Sequence, residues 1–177
     1  MILGMSLATF TLLHVVISLV GIASGLIVVY GFIAGKRLDF WTAIFLLSTV
    51  LTSATGYLFP FKHLLPSHIV GILSLLVLAA AIVARYPRHL EGGWRRVYVV
   101  CAMVALYLNC FVLVVQCFLK VPALHALAPN GNEPPFLIAQ LALLAVFALL
   151  TIVAARRFPC LPSQADPGRS SARGRVA

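Results

Sequence analysis

Two histidines sit in matching company 54 positions apart, in His14-Val15-Val16-Ile17 and in His68-Ile69-Val70-Gly71. Both belong to long apolar runs, where an ionisable ring is out of place unless it binds something or is hydrogen-bonded. Imidazoles at similar depth on neighbouring helices suit two chemistries. In the first they ligate one haem b from opposite sides, with Ser18, Gly21 and Gly71 leaving room for the porphyrin. In the second they hold a metal or a quinone, with Gln116, Gln140 and Tyr57 as supporting partners. A reading without any ligand stands beside both. His14 is then a neutral ring bonded to a hydroxyl or amide of a neighbouring helix, and His68 an interfacial residue in a first helical turn.

The remaining reactive groups narrow the field. His63, His89 and His125 fall in connections, and Glu133 between Asn132 and Pro134 reads as a turn residue. Cys101, Cys110, Cys117 and Cys160 have no CxxC or other metal-ligand spacing, and three of them lie in one apolar run as small hydrophobes. The chain has no HExxH, no GxSxG and no phosphate-binding glycine loop. No Asp or Glu falls inside an apolar run, which argues against carboxylate-based proton-coupled transport. The sequence assigns no catalytic residue.

The elements that must position these groups are apolar helices. Of 177 residues, 62% are hydrophobic and 10% charged, whereas a soluble domain needs about a quarter charged to cover its surface. The +9 balance is spread between the apolar runs rather than gathered in one patch, a pattern of membrane orientation and not of nucleic-acid binding. Five spans are expected, at about 7–34, 40–59, 67–85, 94–118 and 136–155. The first lacks a basic leader region and is too long for the core of a signal peptide, so it reads as retained. The middle run, opened by Pro66-Ser67-His68, is expected to be the one around which the others are arranged.

Patterns within the runs predict which faces meet protein. Gly21-Ile22-Ala23-Ser24-Gly25 and Gly31-Phe32-Ile33-Ala34-Gly35 allow close helix approach. Ser48, Thr49, Thr52, Ser53 and Thr55 make the second half of the second run hydroxylated, and it should face inward. Ala102, Ala105, Asn109, Val112 and Gln116 recur at helical steps and should be buried. Residues 120–135, with four prolines, read as the longest loop between helices, and residues 158–177 as a disordered basic tail.

Charge sets the expected orientation. With five spans, one side holds Lys36, Arg37, Arg85, Arg88, Arg95, Arg96, Arg156, Arg157, Arg169, Arg173 and Arg175, and the other holds Lys62 and Lys120. Eleven against two places the N-terminus outside and the C-terminus in the cytoplasm. His14, His63, His68 and His125, with Tyr57, Gln116, Glu133 and Gln140, then all fall toward the outer side. Histidine, apolar helix, basic turn and tryptophan (Trp41, Trp94) recur in both halves, as in a duplicated hairpin.

The stretch TSATGYLFPFKHLLPSHIVGILSLLVLAAAIVARY resembles small bacterial multi-span inner-membrane proteins of uncharacterised function, in which a histidine opens a helix after a short turn. Helices one to four also resemble, more faintly, b-type cytochrome membrane subunits. The first resemblance implies a bacterial inner-membrane location and brings no activity; the second implicates His14 and His68 as haem ligands. The departure is that no second histidine pair exists, so a two-haem electron path is not implied. Two functional expectations follow. One is a small redox or cofactor-binding subunit with an outward histidine site. The other is a non-enzymatic accessory protein that packs against a membrane partner or a second copy of itself.

Overall fold

The computed structural model describes residues 4–59 and 66–159, with backbone alone at 66–68. The connection carrying Lys62 and His63, the side chain of His68, and the tail from Cys160 lie outside the described residues. The described chain is all-helical. Its helices are α1 (Leu7–Ile33), α2 (Asp39–Gly56), α3 (Pro66–Arg85), α4 (Trp94–Lys120), α5 (Pro122–Leu127) and α6 (Pro134–Arg157). Three of them, α1, α4 and α6, are long and apolar enough to cross a membrane. With 27 residues, α1 and α4 each extend about 40 Å. The shorter α2 has 18 residues and α3 has 20.

Local chemistry sets the ends. Ser6 caps α1, its hydroxyl accepting from the Thr9 amide at 3.1 Å, and Gly35 closes it with a φ of +67°. Pro134 and Pro135 occupy the first turn of α6, where an amide proton would have no partner within the helix. Two expected boundaries move. The second run stops at Gly56 rather than at 59, with Tyr57 as its cap. The 120–135 connection is not all loop, because Pro122 opens the six-residue α5.

Packing proceeds as two hairpins, α1 on α2 and α3 on α4. The hub is α4, which meets α1, α2, α3, α5 and α6, whereas α3 packs mainly on α2 and α4. The expected organising role of the middle run therefore passes to its successor. Small residues explain the closeness at the centre. A Cβ built on Gly25 would lie 2.6 Å from Leu106 Cδ1 and 2.9 Å from Phe45 Cδ2, so only hydrogen fits there.

The tight core occupies one half of the bundle. Phe32, Phe45, Leu78, Val99, Met103 and Leu106 are buried around Tyr98, toward the end where α4 begins. Phe158, expected to start the tail, is instead 2% exposed and stands edge-on to Phe32 at 4.9 Å. Arg85 and Arg95 are 8% and 7% exposed and are parts of this half. Arg85 pairs with Asp39 and lies 5.2 Å from the centre of the Tyr98 ring. Arg95 donates to the carbonyls of Ala155 and Phe158 at the end of α6, where the helix dipole favours a cation.

Candidate functional site

The other half of the bundle is open. Where α1 and α3 begin and α2 and α4 end, a cleft of about 630 Å³ separates the four helices. A volume of this size is ordinary for a small-molecule or cofactor site. Leu19, Ile22, Val70, Val112 and Leu113 supply apolar wall. Polar groups come from every helix: His14 and Ser18 of α1, Thr52 and Ser53 of α2, Ser74 of α3, and Asn109, Gln116 and Lys120 of α4. Among the described residues no carboxylate lines the cleft, and no cluster of three His, Cys, Asp or Glu side chains could hold a metal ion.

His14 is fixed in this wall by two contacts. Its Nδ1 is 2.8 Å from the Thr55 hydroxyl, and its ring stands edge-on to Phe59 with centroids 5.2 Å apart. One turn on, Ser18 donates to the His14 carbonyl at 2.9 Å and lies 3.4 Å from Thr52 Oγ1. Across the α2–α3 seam, Ser53 donates to Ser74 at 2.9 Å. These bonds tie the hydroxylated half of α2 to both neighbours and hold the cleft walls at fixed spacing.

Gly21 directly precedes the cleft-lining Ile22 on α1. A Cβ there would be 3.2 Å from each of Asn109 Nδ2, Ser48 Oγ and Thr49 Oγ1. The absent side chain lets the Asn109 amide settle over α1, and its buried Nδ2 has no hydrogen-bond partner among the described residues.

The residues singled out from the sequence separate into groups. His14, Tyr57 and Gln116 all line the cleft. Gln140 does not; it is buried between α6 and α4, where its Nε2 donates to the Phe111 carbonyl at 3.3 Å and its Oε1 has no partner among the described residues. As one turn into α6 it faces the far side of α4, which spacing along a single helix could not reveal. The backbone of His68 opens α3 beside the cleft-lining Val70 and Gly71, while its side chain lies outside the described residues. The expected α4 stripe divides: Ala102 and Ala105 are buried, but Asn109 and Val112 are half-buried and Gln116 is exposed, all three on the cleft.

Sequence reasoning missed Thr55 and Lys120 as site residues. Thr55 carries a signal, in that it belongs to a hydroxyl-rich stretch near a helix end, but such a stretch serves helix packing equally well. Lys120 entered only as a charge to be counted for orientation, although it is the sole charged side chain among the described cleft residues. The chain matches no protein-family profile, no characterised protein and no solved structure.

Proposed function

We propose that the protein is a multi-pass subunit of the bacterial inner membrane that binds a lipid-soluble redox cofactor of the quinone class in its α1–α4 cleft. In this reading α1, α2, α3, α4 and α6 all span the bilayer, with the N-terminus outside and the C-terminus in the cytoplasm. The cleft then opens at the outer side. The observation that carries the reading is the placement of one hydrogen-bonded imidazole, His14, in a largely apolar cleft of about 630 Å³ that no carboxylate lines among the described residues. A quinone ring asks for apolar walls and a few fixed polar groups at its oxygen atoms. The ring, hydroxyls, amides and Lys120 around this cleft supply such groups without a negative charge to repel an oxygen.

The haem b alternative uses the same His14 and would require His68 as the second axial ligand. Protein purified in mild detergent tests both at once. Solvent extraction and mass spectrometry should recover a stoichiometric quinone, lost in His14→Ala. A Soret band that shifts on reduction and disappears in His14→Ala or His68→Ala would replace quinone with haem. Protein with neither ligand would leave an accessory role, packing against a membrane partner or a second copy.

A further inference from the structure

The hydrogen bonds around Thr55 fix more than the position of His14. Thr55 Oγ1 is 2.7 Å from the Leu51 carbonyl, 3.2 Å from the Thr52 carbonyl and 2.8 Å from His14 Nδ1. A hydroxyl has one proton and can donate once. The two carbonyls are acceptors only, and the Leu51 contact, the shortest of the three, is the one that the Thr55 proton is best placed to make. The 2.8 Å contact with His14 is then closed by a proton on Nδ1. In a neutral imidazole that assignment leaves Nε2 as an acceptor. Among the described residues nothing donates to it.

Neighbouring hydroxyls on the same wall show the same bias. Thr11 donates to the Leu7 carbonyl at 2.8 Å, Ser18 to the His14 carbonyl at 2.9 Å, and Ser53 to Ser74 at 2.9 Å. Their protons are directed into the protein, and their lone pairs remain. These three hydroxyls therefore offer acceptors to the cleft. The opposing α4 wall offers the Gln116 amide and the Lys120 ammonium, which bring donors.

We propose that Thr55 locks His14 as its Nδ1–H tautomer, so that the cleft takes the hydroxyl form of its ligand, a quinol, in preference to the quinone. The ligand O–H donates to His14 Nε2, while its second oxygen lies toward the α4 donors. A quinone carbonyl brought to Nε2 would set two acceptors against each other. The proposal rests on the cleft being a quinone-class site. It adds the redox form that the site selects and makes Thr55 a positioning residue.

The test uses the full chain in phospholipid nanodiscs with a decyl-tailed benzoquinone and its quinol, the latter kept reduced under anaerobic conditions. Quinol is expected to bind about tenfold more tightly than quinone, as one hydrogen bond made or missed implies. In Thr55→Val the preference should fall to about twofold or less, because the ring is released to turn either nitrogen to the ligand. Nitrogen-15 NMR of histidine-labelled protein, with His14 assigned by its loss in His14→Gln, should show a directly bonded proton on Nδ1. Equal binding of both forms, abolished by His14→Ala, would overturn the tautomer proposal and leave the cleft reading intact. Binding of neither form would overturn the cleft reading itself. A bare Nδ1 in the wild-type spectrum would overturn the proposal even if Thr55→Val failed to fold.

Discussion

The hydroxyl of Tyr57 occupies the space that a side chain at residue 71 would need. A Cβ built on Gly71 would lie 2.7 Å from Tyr57 Oη and 3.1 Å from its Cζ. The cap of α2 is thus seated directly on the first turns of α3, and both residues line the cleft. Gly71→Ala should push the ring aside. An overpacked contact of this kind is worth about 1–3 kcal/mol. The expected result is a lower unfolding temperature in detergent together with weaker uptake of a quinone probe. Unchanged binding would mean that Tyr57 is not part of the ligand's surroundings.

At the opposite end, Arg95 clips the first turn of α4 to the end of α6. Its donations to Ala155 and Phe158 join residues 60 and more positions apart, on a helix that is otherwise largely exposed. Hydrogen bonds from a charged donor contribute about 1.5–3 kcal/mol each. Arg95→Ala should destabilise the fold by about 2–3 kcal/mol in reversible denaturation from micelles and should loosen α6 first. Arg95→Lys should fall between, since an ammonium keeps the charge at the helix end but loses the fixed planar direction of the two Nη1 N–H bonds. Equal stability of wild type and Arg95→Ala would show that α6 is held by its apolar contacts alone.

How much of this was legible beforehand differs between the two halves. Gly25 and Gly21 announced close helix approach, and that is where Phe45, Leu106 and Asn109 sit. The helices themselves were readable because an apolar run bounded by charge and proline has few alternatives. What spacing along one helix could not convey was direction across helices. Gln140 and Gln116 are both amides near helix ends, yet one turns into the α4–α6 seam and the other into the cleft. Nor could charge counting show that Arg85 and Arg95 are buried in ion-pair and capping contacts. Phe158 was hidden similarly, because a lone aromatic before a Pro-rich tail carries no periodicity.

Glu133 makes a pH prediction. Its carboxylate accepts from the Asn130 amide at 3.0 Å, the Asn130 side chain at 2.8 Å and the Asn132 amide at 3.0 Å. The Asn130 backbone bond leads these in holding the acid down, from 4.5 to about 2. The pKa is depressed on folding, so the contribution is full above pH 4.5, declines below it and is lost as pH falls through about 2. The turn before α6 should therefore keep its amide chemical shifts at residues 130 and 132 through pH 4.5. Glu133→Gln should shift both at neutral pH. Movement of those signals centred on pH 4.5 in the wild type would refute the capping role.

Burial of Arg85 and Arg95 also divides the basic residues into those that hold the fold and those free to set orientation. Arg85 pairs with Asp39 and Arg95 with the α6 carbonyls, whereas Lys36, Arg37, Arg88, Arg96, Arg156 and Arg157 are exposed. Setting the two buried arginines aside leaves nine basic residues against two, still a strong bias under the positive-inside rule. Neutralising Arg85 or Arg95 should therefore lower stability without changing topology. Neutralising the exposed group together should mix the topology. Single cysteines at the exposed Ala126 of α5 and next to Arg157, in a background without the natural four, report each case through a membrane-impermeant maleimide applied to intact cells. The Ala126 site should label and the Arg157 site should not, in the wild-type background and in both buried-arginine variants. Labelling of the Arg157 site in the wild-type background would place the C-terminus outside, and with it the cleft on the cytoplasmic side.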